Sequence, residues 1–375
     1  MPEESADELV ATMALTRVHG LSLMCARELY DRAGGALTVM THRKDIRQLW
    51  PQAGEKAVQA LRQSDEAVAR AQAEWDYVQR KHIRCLPLGS EDYPAPLREC
   101  PDAPLVVYWL GNKPLQRPHV VSMVGTRKIT QYGKDLCASF VRDLAQACPD
   151  ALIVSGLAYG VDIHCHRAAL DNGLDTVGVL AHGLDTIYPA LHRPTALRML
   201  RQGGLLTEYM SHTNADKGNF VRRNRLVAGL SQATIVVESA AKGGALITAE
   251  LASEYNREVC AFPGRIGDAY SAGCNNLIAR EQAHLINGVE DFLRLTGWVS
   301  RQAAAKPRQR ELFPELPPDE LAVCNALRGQ DNMGINQLVV AAAIPYHRVM
   351  AALMELEIKG MTETLGGARY RLRKF

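Results

Sequence analysis

The stretch from Lys217 to Arg225, KGNFVRRNR, sets four cations and a phenylalanine together with no acid among them. A clean apolar run follows. Leu226, Val227 and Leu230 stand three, four and seven residues beyond Arg223, so all four share one face of a helix. An arginine aimed toward a core calls for an anion. Phe220 beside the cations suits an unpaired nucleic-acid strand, with stacking for a base and positive charge for the backbone.

Four other segments have the makings of anion-binding loops. Gly125-Thr126-Arg127 follows an apolar run, and Arg127 brings a planar, permanently charged fork to a strand-to-helix junction. A dinucleotide fingerprint would place three glycines in that turn. Arg127 and Lys128 stand there instead, which argues against a nicotinamide or flavin cofactor. In Ser155-Gly156-Leu157-Ala158-Tyr159-Gly160 the two glycines permit close backbone approach ahead of a helix. A structural turn would account for the same residues. Lys242-Gly243-Gly244 leads into a further helix. The segment from Ala181 to Pro189 holds His182 and Asp185, and both read as structural. Nothing in the set forms a nucleophile–base couple or a matched carboxylate pair. A phosphate cradle is the chemistry these types support.

The elements needed to bring such loops together are present. From His119 to about Trp298, apolar β-branched runs at HVVSMVG, ALIVSG, DTVGVLAHG, GLLTEY, ATIVVES and EVCAFPG, with AHLIN as a shorter candidate, are mostly separated by helical patterns. Strands buried on both faces with helices between them specify an α/β, doubly wound, mostly parallel sheet. In such a sheet ligands sit beyond the carboxyl ends of the strands, where these loops lie. Residues 1–80 read as a helical module, including one long helix over AVQALRQSDEAVARAQAEWDYVQRK, and VHGLS weakly resembles the hairpin of helix-hairpin-helix or SAM-like modules. A proline-rich connector then opens the core of residues 81–298. Residues 299–317 are polar and proline-bearing and read as a linker. Residues 318–375 give three helical patterns and two short strands around Gly366-Gly367, a winged-helix arrangement.

Composition bounds the rest. The formal net charge of +2 over 375 residues means that any anion site is local. Nine cysteines without a C-x-x-C pair fit reduced thiols in the cytoplasm. His164-Cys165-His166 lacks a second ligand pair at zinc spacing, so no metal is expected. The acidic N-terminus is no signal peptide, and no run reaches the length of a membrane span.

Taken in order, GTR, SGLAYGVD, HGLDTIYP, TEYM, GNFVRRNRLVAGLS, KGGALITAELA and FPGRIGDAYSAGCNNLI closely resemble the DprA/Smf DNA-processing family over most of residues 85–290. The resemblance implies an extended Rossmann core that binds single-stranded DNA, homodimers, and delivery of the strand to the RecA recombinase during natural transformation. It implies no catalysis. Carried over by motif, the phosphate-gripping positions are Gly125, Thr126, Arg127, Ser155, Gly156, Lys217, Phe220, Arg223, Asn224, Lys242, Gly243 and Gly244. Two departures stand out: the fifth loop reads GGAL where members often read SGSL, and Val221 replaces a common proline.

Two other functions compete. The sheet also resembles LOG-type nucleotide phosphoribohydrolases, and Glu250 keeps the Gly-Gly-to-Glu spacing of their catalytic loop while the inner glycine is missing. A double-stranded DNA regulator would read through the winged helix, whose third helix carries Arg348 but also Glu355 and Glu357.

Overall fold

The computed structural model describes residues 5–298, 316–328, 330, 332–365 and 367–373. Most of the expected linker, residues 299–315, therefore lies outside the described residues. The chain divides into two compact units, Met1–Ala305 and Lys306–Phe375.

The first unit is built on nine strands: β1 (Arg84–Pro87), β2 (Val106–Gly111), β3 (Val120–Val124), β4 (Leu152–Ser155), β5 (Asp175–Val179), β6 (Gly203–Thr207), β7 (Ala233–Val236), β8 (Glu258–Ala261) and β9 (His284–Leu285). Their spatial order is β1-β2-β6-β5-β4-β3-β7-β8-β9. The run from β6 to β9 is parallel, while β2 pairs antiparallel with β6 and β1 with β2. The two antiparallel strands lie at the start of the proline-rich connector and within it, where no strand was expected. The order reverses at β3, which lies between β4 and β7. That reversal opens the crevice at which such sheets take ligands.

Both faces of the sheet are covered. Along β3, Val120 and Val124 join one apolar cluster and Val121 and Met123 the other, as the period-two pleat requires. Helices Gln131–Ala147 and Val161–Asp171 pack on the second face, and Lys217–Gly229 and Gly244–Glu254 on the first. The N-terminal helices share the first cluster: Met13, Leu15, Leu29, Leu61 and Val78 are continuous with the sheet's own core. Residues 6–81 therefore pack as part of this unit.

The long helix expected before residue 80 is two, Glu55–Arg62 and Asp65–Lys81. Ser64 sits between them with its hydroxyl on the Leu61 carbonyl at 2.6 Å, and Asp65 and Glu66 open the second helix where acids complement its dipole. At the other end of the unit, the Trp298 ring lies 4.7 Å from His119 and 5.1 Å from Phe292.

The second unit has helices Pro318–Leu327, Ile335–Ala342 and Tyr346–Ile358 and a three-stranded sheet in the order β10-β12-β11. Here β10 is Met333–Gly334, β11 Thr362–Leu365 and β12 Arg369–Leu372. Three helices and a terminal hairpin make a winged helix with its own core of Val323, Leu338, Val349, Leu353 and Leu356. Among the described residues, no single helix is long and apolar enough to cross a membrane.

Candidate nucleic-acid interface

Backbone contacts bind the loops at the carboxyl edge into one surface. The Thr126 amide donates to the Glu238 carbonyl at 2.7 Å, and the Val161 amide donates to the Thr126 carbonyl at 3.2 Å. Gly160 has φ +78°, and a Cβ there would run into that same Thr126 carbonyl, so only glycine lets the second loop lie against the first. The Asn224 side-chain amide reaches the Gly244 carbonyl at 3.5 Å, joining the fourth loop to the fifth.

The surface of this assembly is basic. Arg127, Lys128, Lys217 and Lys242 are exposed, and among the described residues none of them has an ion-pair partner. Lys217 opens helix Lys217–Gly229, whose N-cap Asp216 accepts from the Asn219 amide at 2.7 Å. Arg222 is exposed too, its guanidinium on the Asn219 side-chain carbonyl at 2.7 Å. Arg127 reaches across to the same helix, placing its guanidinium 5.0 Å from the centre of the Phe220 ring. Gly243 caps helix Gly244–Glu254 without a side-chain bond to its first amides. A helix start of that kind favours an anion.

Three residues expected on this surface lie beneath it. Ser155 is fully buried and spends its hydroxyl on the Met123 carbonyl at 2.6 Å. Gly156 is buried, and its amide is taken by the Asp162 carboxylate at 3.1 Å, which also accepts from the Ala158 amide at 3.2 Å. Arg223 is 3% exposed. Its guanidinium donates to the Gly156 carbonyl at 2.8 Å and to the Val179 carbonyl. A Cβ on Gly156 would collide with that guanidinium, so the glycine admits the arginine rather than a ligand. Burial pulls the Arg223 pKa down to about 10 while Asp162 opposes the shift, and burial pushes Asp162 up against the pull of Arg223. This arginine is satisfied inside the fold, by two strand-end carbonyls and the field of the nearby Asp162 carboxylate.

Arg225 is likewise engaged within the fold, with Glu208 and, at 2.6 Å, with the Asp102 carbonyl. Burial raises the Glu208 pKa, and Arg225 counters it. Asp185 accepts from the His212 amide at 3.0 Å, and His182 accepts from the Tyr188 amide at 3.2 Å, so both hold the third loop in shape.

One residue of the site was not anticipated. Glu238, two residues beyond the end of β7, is 3% exposed and accepts from both the Thr130 amide at 2.8 Å and the Thr130 hydroxyl at 2.5 Å. It fastens the far end of the loop that carries Arg127. A carboxylate ending a wholly apolar strand run, ATIVVES, was the available signal.

The residues singled out for other chemistry are placed elsewhere. Glu250 is exposed on helix Gly244–Glu254. His166 is buried with Nδ1 against the Thr176 hydroxyl at 2.7 Å, and Cys165 lies 3.7 Å from Cys137. All nine cysteines are free thiols. On the winged helix, Arg348 is clasped by Asp319 at 2.6 Å, and helix Tyr346–Ile358 exposes Tyr346, Met350, Met354 and Ile358 beside Glu355 and Glu357. That face is ill suited to the phosphates of a duplex.

A doubly wound sheet whose carboxyl edge carries cations with no ion-pair partner among the described residues, joined in sequence to a winged helix, defines a Rossmann-like protein of two units. Comparison with known proteins gives the family. Residues 84–297 match the model of DNA recombination-mediator protein A, and residues 304–368 match the DprA winged helix domain. The chain belongs to the DNA recombination-mediator protein A family. It is 36% identical over 277 residues to a putative DNA processing protein DprA of Mycobacterium tuberculosis, covering 73% of this chain and 70% of that one. The structure of DNA processing protein A from Streptococcus pneumoniae superposes with a TM-score of 0.66 at 29% identity, covering 78% of this chain and 98% of that chain. The Helicobacter pylori DNA processing protein A, described as having a unique single-stranded DNA binding mode, superposes with a TM-score of 0.51 at 32% identity over 57% of this chain and 94% of its own.

Proposed function

We propose that this protein binds single-stranded DNA at the carboxyl edge of its sheet and shelters it. In this reading it works as a cytoplasmic homodimer, delivers the strand to the RecA recombinase in natural transformation and homologous recombination, and performs no catalysis. The observation that carries the binding site is the group of exposed, unpaired cations on loops locked together by backbone bonds, with Arg127 laid over Phe220. The phosphate-facing set is Arg127, Lys217 and Lys242, assisted by the backbone of Gly125, Gly243 and Gly244 and by Asn224, while Thr126, whose amide and carbonyl are bonded to Glu238 and Val161, braces the loop. Arg223, Ser155 and Gly156 support that set from below. Family membership and the single-strand binding described for the Helicobacter pylori relative favour the ligand. The RecA step and the dimer rest on the family resemblance.

Because the contacts go to the backbone, sequence preference should be slight. Fluorescence anisotropy with a labelled poly-dT strand and a duplex of equal length tests the ligand: the single strand should win the competition. A preference for duplex, or for one short sequence, would overturn the reading. For the delivery step, RecA ATP hydrolysis should begin sooner on a strand pre-coated with single-strand binding protein when this protein is added. No change in the lag would remove it.

A further inference from the structure

The sequence offered Phe220 for base stacking, but the fold covers that ring. The Arg127 guanidinium lies 5.0 Å from its centre, the Arg223 guanidinium 5.8 Å, and the Tyr188 ring 5.7 Å away at 54°. Two cations and an aromatic neighbour use the ring's surface inside the protein. Phe220 is half-buried and acts as a spacer between charges.

Two tyrosines near it are open: Tyr188, which touches the ring, is 48% exposed, and Tyr159, on the loop that lies against Arg127, is 45% exposed. Each is steadied by one aromatic contact. Tyr188 leans on Phe220, and Tyr159 meets His192 edge-on at 5.0 Å and 68°. His192 is itself buried and fixed to the Leu157 carbonyl at 2.8 Å. Backbone bonds hold Tyr159 on both sides, since the Ala158 amide belongs to Asp162 and Gly160 lies under Thr126. The side chains are therefore pre-positioned, and little freedom is left to lose when a ligand arrives.

We infer that Tyr188 and Tyr159 are base-stacking platforms for two unpaired nucleobases of a strand whose backbone lies on Arg127 and Lys217. The inference rests on the proposed single-strand reading and adds the groups that tell a single strand from a duplex. A duplex keeps its bases stacked inside and gains nothing from these rings, whereas every unpaired base has a π-face to offer. It also explains how a backbone-gripping site can reject double-stranded DNA without reading any base edge.

The test uses the full chain, a labelled dT strand and an abasic deoxyribose-phosphate strand of the same length. Stacking on an aromatic side chain contributes about 1–3 kcal/mol per base, a factor of roughly five to a hundred and fifty. Wild-type protein should bind dT at least about five-fold more tightly than the abasic strand. Tyr188→Ala and Tyr159→Ala should each weaken dT binding by about five-fold or more, leave the abasic affinity and the salt slope unchanged, and be rescued by Tyr→Phe. Thermal melts should match wild type, because both side chains are half exposed. Equal wild-type affinity for the two strands, or unchanged dT affinity in both alanine variants, overturns the inference while abasic binding that depends on Arg127 leaves the backbone reading standing. Failure of the wild type to bind either strand overturns both.

Discussion

Arg223→Ala separates a buried strut from a phosphate ligand. In the wild type the guanidinium spans two strand ends, with hydrogen bonds to the Gly156 and Val179 carbonyls and a counter-charge in Asp162. Truncation removes all three and leaves Asp162 buried without its cation. Each hydrogen bond from a charged donor is worth about 1.5–3 kcal/mol, so losing both costs about 3–6 kcal/mol, a large share of the stability of an ordinary domain. In a unit of this size that corresponds to a fall in Tm on the order of ten degrees. Urea denaturation followed by circular dichroism reads the loss directly. Single-strand binding by the folded fraction should keep the wild-type salt slope, since no phosphate contact has been deleted.

The same variant carries a pH signature. Burial already raises the Asp162 pKa against the pull of Arg223, and without Arg223 it rises further. A carboxyl whose folded pKa exceeds its unfolded value contributes stability below the unfolded pKa and loses it as pH rises through the folded one. The stability deficit of Arg223→Ala should therefore grow as pH rises above about 4, the unfolded carboxyl value, and adding Asp162→Asn should flatten that growth. Unchanged urea stability together with a salt slope lowered by about 0.7, the value of one phosphate contact on a single strand, would refute the strut and restore Arg223 to the ligand.

Other consequences are more briefly stated. Arg127→Ala should lower the salt slope by about 0.7 with unchanged thermal stability, and a stability loss without a slope change would move Arg127 into the scaffold. Glu238→Ala should weaken single-strand binding through the loosened Arg127 loop and speed hydrogen exchange at the Thr130 amide, an exchange rate equal to wild type being the refuting result. Burial pulls the His166 pKa down to about 3, so the folded state refuses a proton that the unfolded chain accepts. Stability should then fall by about 1.4 kcal/mol per pH unit from this group between about pH 6.5 and 3, and His166→Gln should remove one proton's worth of that slope in acid denaturation. Deleting residues 299–375 should leave the first unit folded, because Trp298 closes its edge and its core is separate from that of the winged helix, and single-strand affinity should survive; loss of most affinity would place the principal site in the second unit.

Most of the parallel sheet was legible because its inner strands are buried on both faces and so read as short apolar runs between helices, the exposed edge strand β9 being the exception. Strands β1 and β2 were not, although VVYWLG is as apolar as any of them, because the surrounding prolines read as a connector and hid a pairing that only the edge of β6 makes possible. The break at Ser64 was hidden for a local reason: helix formers on both sides outweigh one serine in a periodicity argument, while in the fold its hydroxyl ends the first helix. In the site, position was legible and depth was not. A residue at a strand end is placed at the carboxyl edge by topology alone, which located Arg127, Lys217 and Lys242. Whether a given amide or cation there faces outward depends on which acid claims it first. Asp162, only six residues beyond Gly156, claims the Gly156 and Ala158 amides and the charge of Arg223 together.

That competition orders the whole edge into two layers. Beneath are charges engaged within the fold: Arg223 on the Gly156 and Val179 carbonyls beside Asp162, Arg225 with Glu208, and Glu238 on the Thr130 amide and hydroxyl. Above them are cations that have no ion-pair partner among the described residues. A buried pair adds little net stability over an apolar substitute, but removing either half is costly, so its geometry is held firmly. The loops above are thereby fixed before any ligand arrives, and the exposed cations keep their charge for it. Exposed ion pairs are worth little, so leaving Arg127, Lys217 and Lys242 unpaired sacrifices almost no stability. For a polyanion the same three charges count heavily, through the counterions they displace. The division predicts that substitutions in the lower layer will change stability before affinity, and those in the upper layer affinity before stability. Arg223→Ala and Arg127→Ala, compared in one urea titration and one salt titration, are the pair that decides it.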